Sequence, residues 1–307
     1  MATTVPAPVN NSISLAESFL PFVDEAYKQD SKSAILDTAN QFVRFIGADT
    51  VQIYNVNPLG MGNYSRNAGF VPGDVTGTWQ NYVLNTDRGR SYMVDVLDNE
   101  ETLGMTMGTL LNTVERQHII PEVDAFRFAA YATGAAAANK TTETLSTGAG
   151  TVASIDNATV ALDDAEVPYE GRILFVSPAV YGKLKAGITR MVMNGDNNVN
   201  YAIEMYNDMR VIRVPQSRFY TAITLRTPAD NDDAGGYVPN GSGINYMIVH
   251  PSAVVQVMKH YVARVFSPEQ NVNADAWMVQ PRFAHGAWVL AHKTNGIYVS
   301  SDSTISG

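Results

Sequence analysis

The residue types in this chain best suited to chemistry are a tyrosine–lysine pair, a run of aspartates and five histidines, and their spacing decides what they could do. Tyr181 and Lys185 stand four apart, so a helix would carry both on one face, in the Y-x-x-x-K pattern of the short-chain dehydrogenase acid–base pair. That pair works only beside a nucleotide, and no G-x-G-x-x-G fingerprint follows an early strand. The plainer reading is an exposed helix. Asp230, Asp232 and Gly235 partly match a calcium loop, but Ala234 stands at the fifth position and Gly241 at the twelfth, where a bidentate glutamate belongs. A solvated acidic loop fits better. The histidines (118, 250, 260, 285 and 292) show no metal-ligand spacing. His285 and His292, seven apart in one strand, would face opposite ways, and each histidine reads as a hydrogen-bonded structural residue. There is no G-x-S-x-G elbow and no Walker loop. Gly60-Met-Gly62 and Gly148-Ala-Gly150 are too short to cradle phosphate. No catalytic constellation, cofactor site or metal site has positive support in these residues.

The bulk composition narrows the classes further. With 307 residues, 45% apolar and 17% charged, the chain can build a substantial core in about two domains. It has no cysteine, which removes disulfides, thiolate metal sites and a thiol nucleophile, and suits a reducing cytoplasm. No apolar run approaches the roughly 18 residues a membrane span needs. The formal charge of −9 opposes tight phosphate binding, and the basic residues are scattered rather than striped with aromatics. Of the 21 basic residues 14 are arginine, the type suited to bidentate pairing with carboxylates at protein–protein contacts.

The elements that would position these residues are ordered around one long helix over 98–138. Asp98 with Glu101 forms a capping box. Leu103, Met107, Leu110, Leu111, Val114 and His118 recur at helical spacing. Pro121 either kinks this helix or opens a second one, with Glu122 and Asp124 in its first turn. Val123, Phe126 and Ala130 continue the apolar face. Unbroken, the element would be about 60 Å long, a spine rather than a helix of a compact enzyme.

Around the spine, residues 1–14 read as an extended arm, Ser14 to Lys28 as a helix, and Ile35 to Ile46 as a further apolar segment that must pack on something else. Thr50 to Tyr54 alternates like a strand, and a Gly/Asn/Pro-rich excursion follows. A strand pair is expected from Trp79 to Leu84 and Arg90 to Val96, joined by a turn at 85–89. This makes a two-stranded protrusion with a loose tip, marginal in water by itself, so it should lie on a neighbouring subunit with Tyr64, Phe70 and Trp79 as anchors. Arg66 among those aromatics, and Asp124 and Arg127 near the spine's end, are candidates for inter-element or inter-subunit ion pairs; a helix-surface pair between Asp124 and Arg127 within one chain is the alternative. Beyond the spine, 152–165 reads as a helix, 172–176 as a buried strand, 178–186 as a helix, and 209–214 and 244–249 as strands. Two long β-rich runs follow at 253–265 and 276–292, then a short strand at 297–299. The class is α+β.

Taken in order, these parts resemble the major capsid proteins of tailed bacteriophages, the Hong Kong 97-type fold. VQIYNVNPLGMGNYSRNAGF and TDRGRSYMVDVLDNEET resemble its extended loop running into the spine helix. ERQHIIPEVDAFRFAAYA resembles the end of the spine, and GRILFVSPAVYGKL and MRVIRVPQSRF the axial subdomain. INYMIVHPSAVVQVMK with Asp275-Ala-Trp and GIYVS is similar to the peripheral strands. The likeness covers roughly residues 15–300. It implies an N-terminal arm (1–48), an extended loop (49–97), a peripheral domain with the spine (98–166 and 252–307) and an axial domain (167–251).

The resemblance also implies function: a shell subunit, not an enzyme and without cofactor or metal, that forms pentamers and hexamers and closes an icosahedral container around double-stranded DNA, without sequence-specific binding. It implies a virion location, assembly in the host bacterial cytoplasm, and a portal protein as partner. Some family members crosslink neighbours through a lysine of the extended loop. Here no lysine lies between Lys32 and Lys140, so a non-covalent shell, or one held by a cement or decoration protein, is expected. The short arm before the first helix points to a separate scaffolding protein. An encapsulin-like nanocompartment and another virion structural protein are the competing readings.

Overall fold

The structure, a computed structural model, describes residues 31–39, 44–46, 50–67, 69–70, 72–73, 75–84, 86–96, 105–188, 203–227, 235–272 and 274–303. The expected capping box at Asp98 and Glu101, the arm of residues 1–14 and the helix expected from Ser14 lie outside them, as does the loop over 194–200.

The spine is present. Helix α1 (Met105–Val114) runs through a π-helical turn (Glu115–Ile119) into α2 (Ile120–Gly134) without leaving helical geometry, about 45 Å of continuous helix. The π turn explains how Pro121 is carried mid-helix. In α geometry its ring would meet the carbonyl of Gln117, four residues back. Here the Ile120 N–H instead donates to Glu115 O, five residues back, and the wider turn relieves that crowding just before the proline.

Four sheets surround it. A three-stranded sheet joins β1 (Arg44–Ile46), β2 (Thr50–Pro58) and β3 (Val75–Val83). Next, β4 (Thr86–Gly89) and β5 (Tyr92–Asp95) both pair with β14 (Ala276–Val289), itself the partner of β13 (Val254–Phe266). A six-stranded sheet has the order β6 (Lys140–Thr142), β15 (Ile297–Ser301), β12 (Ile244–Val249), β7 (Ile173–Val176), β9 (Met209–Arg213), β8 (Met205–Tyr206). Last, β10 (Ile223–Leu225) pairs with β11 (Tyr237–Pro239). Two more helices, α3 (Gly148–Asp164) and α4 (Pro178–Gly187), are capped at their N-termini by Thr147 and Ser177.

Strand alternation decides what each face of the six-stranded sheet buries. From β7, Ile173 and Phe175 point to the spine, where Phe128 and Tyr131 meet them. Leu174 and Val176 point the other way, to Ile155 and Leu162 of α3 and Val180 and Leu184 of α4. In β12 and β15, Met247, Val249, Ile297 and Val299 join the first core, and Tyr246, Ile248 and Tyr298 the second. Covered on both faces, these strands read as continuous apolar runs. The N-terminal half of the spine packs on the other long sheet: Val114, Ile119, Ile120 and Val123 on Phe283, and Leu111 on Ala263, Val265 and Val279. One helix therefore ties two sheets into one body.

One expectation about strand pairing is corrected. Trp79 to Leu84 does not pair with Arg90 to Val96; β3 pairs with β2 over nine register positions, while β4 and β5 join β14. The hydrophobic face of the 86–95 stretch is buried by the spine rather than by the protrusion, with Val94 buried and Tyr92 packed in the spine's core cluster. The strand at 297–301 pairs with β12 and β6, and its side chains fill both cores of the six-stranded sheet. And the 35–46 segment holds a 3-10 turn (Ala34–Ala39) and a strand, β1, where a single apolar segment was expected.

Candidate functional site

The most exposed apolar surface belongs to the β2–β3 hairpin. Its base is anchored: Val51 is fully buried with Leu84, Val255 and Val257, and the Tyr82 and Trp288 rings meet at 5.5 Å. Its outer half is not. Tyr54 and Trp79 face each other across the strands with ring centroids 4.8 Å apart and are 51% and 50% exposed. Val56 and Val75 continue the same face and are also exposed. Gly77 is required there, because the Tyr54 ring folds across the space its Cβ would take. Thr76 and Thr78 make the opposite, polar face. The hairpin thus has the two-faced pattern of a half-buried sheet, with one apolar face uncovered among the described residues.

The tip is more ordered than a loose excursion. Ser65 and Gly69 exchange both backbone hydrogen bonds (3.1 and 2.7 Å), Gly69 takes the left-handed conformation at φ 79°, and the flanking Tyr64 and Phe70 rings pack edge to face at 4.9 Å. Phe70 is 87% exposed, Met61 is fully exposed, and Arg66 sits exposed in the turn. The structure therefore brings Tyr64, Arg66 and Phe70 together at the tip and sets Trp79 lower on the apolar face. Tyr54, Val56, Met61 and Val75 belong with them and were missed; their signal is alternation continuing past Tyr54, legible only once β3 is known to lie opposite.

Asp124 and Arg127 are elsewhere. Asp124 is completely buried and accepts from Ser31 Oγ (2.6 Å), Lys32 N (2.9 Å), Ser33 Oγ (2.7 Å) and Arg218 Nη1 (3.2 Å). Arg127 donates to Ser33 Oγ (2.9 Å) and lies 3.4 Å from Asp37. Both are contacts between elements of one chain, pinning residues 31–37 to the spine and to Arg218. They are therefore inter-element contacts, one of the two alternatives the sequence left open, with Asp124 and Arg127 both buried.

A second ionic node was not foreseen. Arg88 of β4 donates to both carboxylate oxygens of Glu122 (2.8 and 3.2 Å), to Arg226 O (2.7 Å) and to Gly236 O (3.0 Å). One guanidinium thereby clamps the root of the hairpin, the spine beyond its π turn and the β10–β11 region. No local pattern could reveal it, since its partners lie 34 to 148 residues away.

The residues suspected of chemistry have structural duties. The Tyr181 hydroxyl accepts from Ile203 N (2.8 Å), and Arg213 stacks on its ring at 5.0 Å. Gly148 lies against Gly187 where α3 and α4 touch, so its glycine run serves packing. His250 bonds Ser252 and the Glu170 carbonyl as expected. His285 departs from expectation: it is fully buried between Phe126 and Phe283, with neither ring nitrogen hydrogen-bonded. Burial first, then Arg127 and Arg88, push its pKa down to about 3. His292 lies in a 3-10 segment (Ala291–Gly296), not in the strand. Of the calcium-like loop, Asp230 and Asp232 are outside the described residues, among which no cluster of three metal-ligating side chains occurs. No helix among them is long and apolar enough to cross a membrane.

No family model matches the sequence, and no curated protein matches it. The fold does have relatives among solved structures. The Gordonia phage Cozz structure aligns over 90% of this chain and 87% of its own at a TM-score of 0.61 and 12% identity. The capsid structure of the cyanophage P-SCSP1u aligns over 87% and 86% at 0.59 and 13%. The virus-like particle from Pyrococcus furiosus aligns over 93% and 98% at 0.50 and 8%. The spine, the two sheets and the protruding hairpin therefore define an α+β fold of the tailed-phage major capsid class, as the order of motifs implied.

Proposed function

We propose that this chain is the structural subunit of an icosahedral virion shell, assembling into pentamers and hexamers around double-stranded DNA. The observation that carries this reading is the outer half of the β2–β3 hairpin, whose apolar face has no cover among the described residues. A two-stranded ribbon of this kind is marginal alone in water, and repeated head-to-tail contact between identical subunits both covers it and closes a ring. The likeness to phage capsid structures supports the same assembly. Contacts through the hairpin and the N-terminal arm are non-covalent, with a scaffolding protein, a portal and a cement or decoration protein as partners, and the DNA is held without sequence recognition, as the acidic chain suggests. Purified protein, imaged by negative-stain electron microscopy with and without a co-expressed scaffold, should form closed shells; a lone globule at all concentrations overturns the proposal.

The likeness to the Pyrococcus furiosus particle favours one second reading, a protein nanocompartment of the encapsulin type. Particles isolated from the native source separate the two: DNA and a portal vertex mark a virion, and an enclosed protein cargo marks a nanocompartment.

A further inference from the structure

The four-stranded β13–β14 sheet carries opposite charges at two places on its length. On the face away from the spine, His260, Arg264 and Arg282 line an open trough of about 400 Å³, and all three are exposed. Asp87 is the one carboxylate among its described lining residues, and Arg282 already holds it through two bonds of 3.0 and 2.6 Å. The trough therefore keeps a net positive rim over an apolar floor that includes Val262 and Pro281.

At the end of the same hairpin the signs reverse. The turn between β13 and β14 presents Val272, 98% exposed, with exposed Glu269 and Asp275 on either side. The turn is rigid. A capping box links Ser267 and Gln270, Asn271 N donates to Ser267 O (3.1 Å), and Asn271 Nδ2 donates to Ala276 O (2.9 Å). An exposed valine between two carboxylates matches a positive rim over an apolar floor in both sign and polarity. It cannot reach its own trough, because the β13–β14 register is unbroken from His260↔Ala284 to Phe266↔Met278 and holds the two apart.

We propose that the β13–β14 turn of one copy docks into the trough of a second copy, Val272 entering over Val262 and the acidic pair Glu269 and Asp275 meeting Arg264. The inference rests on the reading that copies of this chain assemble. A second copy is favoured over nucleic acid by the shape and by the signs: the trough admits a side chain, Asp87 sits within it, and the sheet beyond it carries Asp95, Glu269 and Asp275, which would repel a continuous phosphate chain. Such a contact is heterologous, joining different surfaces of identical chains, and so builds rings. Being exposed and ionic, it sets association rate and register and is screened by salt.

The test uses two full-length variants. Arg264→Glu reverses the trough, and Glu269→Lys with Asp275→Lys reverses the turn. Each alone should slow assembly by about tenfold or more at low salt, read by light scattering, while leaving the thermal midpoint unchanged because all three sites are exposed. Mixed one to one, they should recover the initial rate of association, since in an alternating array each reversed surface meets its complement, although a five-membered ring of the two cannot alternate. Assembly of either variant at the wild-type rate, or no recovery on mixing, overturns the proposal. So does a normal assembly rate together with loss of binding to a duplex oligonucleotide by Arg264→Glu, which would make the trough a nucleic-acid site. If the wild type forms no shells, the shell reading falls, and the contact is judged by sedimentation: salt-sensitive small oligomers lost in both variants support it, and a strict monomer overturns it.

Discussion

Ser33 and Asp124, 91 residues apart, are joined twice: the serine donates its amide (3.3 Å) and its hydroxyl (2.7 Å) to the same carboxylate oxygen. The same hydroxyl accepts from Arg127 (2.9 Å), so one serine relays between the two charged residues of the spine. Asp124→Ala strands five donors in a buried site and is expected to cost about 3–5 kcal/mol. The shift of the denaturant midpoint measures it, and amide exchange at Lys32 and Ser33 should accelerate. A loss under about 1 kcal/mol would mean the arm segment contributes little.

Where α3 crosses α4, a Cβ on Gly187 would collide with the backbone of Gly148 and press on Val152. Gly187→Ala should therefore destabilise by about 1–3 kcal/mol. Gly182, on the same helix, has no atom within 4 Å of the position its Cβ would take, and Gly182→Ala should stabilise by up to about 1 kcal/mol. Opposite signs in thermal melts of the two variants check the packing account.

His285 links stability to pH. It is neutral when folded, with its pKa lowered to about 3 by burial and by Arg127 and Arg88, while the unfolded chain titrates near 6.5. Above about pH 6.5 neither state carries the proton and the group is silent. As pH falls from there toward about 3, only the unfolded chain binds it, so stability declines across that window. His285→Phe, placed between Phe126 and Phe283, should melt with a shallower dependence between pH 7 and 4. Parallel curves for the two proteins would contradict this.

On the hairpin, Trp79→Ala should separate folding from assembly. The ring is half exposed and meets Tyr54 across the strands, so the isolated chain should lose no more than about 1 kcal/mol. Shell formation should fail, because the apolar face loses its largest group. Chemical denaturation and electron microscopy of one preparation read both quantities. Intact shells would place the assembly energy elsewhere.

The hairpin holds no lysine, and none lies between Lys32 and Lys140. Assembled particles boiled in detergent should run as one band at 33.3 kDa. A ladder of covalent oligomers would contradict a non-covalent shell.

By itself the sequence determined the elements and their order. The spine was legible because Leu110, Leu111 and Val114 recur at helical spacing, and the buried strands because Ile173 to Val176 and Ile244 to Val249 are apolar runs. The exposed aromatics of the tip were legible too, since a Gly- and Asn-rich stretch has no core of its own in which to hide Tyr64 or Phe70. Pairing was decided only by the tertiary structure. Whether 79–84 joins 50–58 or 90–96, and whether 297–301 joins β12 or β14, depends on which faces the spine and the helices cover, and each strand's pattern satisfies either partner. The fate of charged residues was decided there as well. Asp124, Arg127 and Arg88 look alike in sequence to surface ions, and only distant contacts with Ser33, Asp37 and Glu122 bury them, because an ion's surroundings are made by chain segments that its neighbours in sequence do not encode.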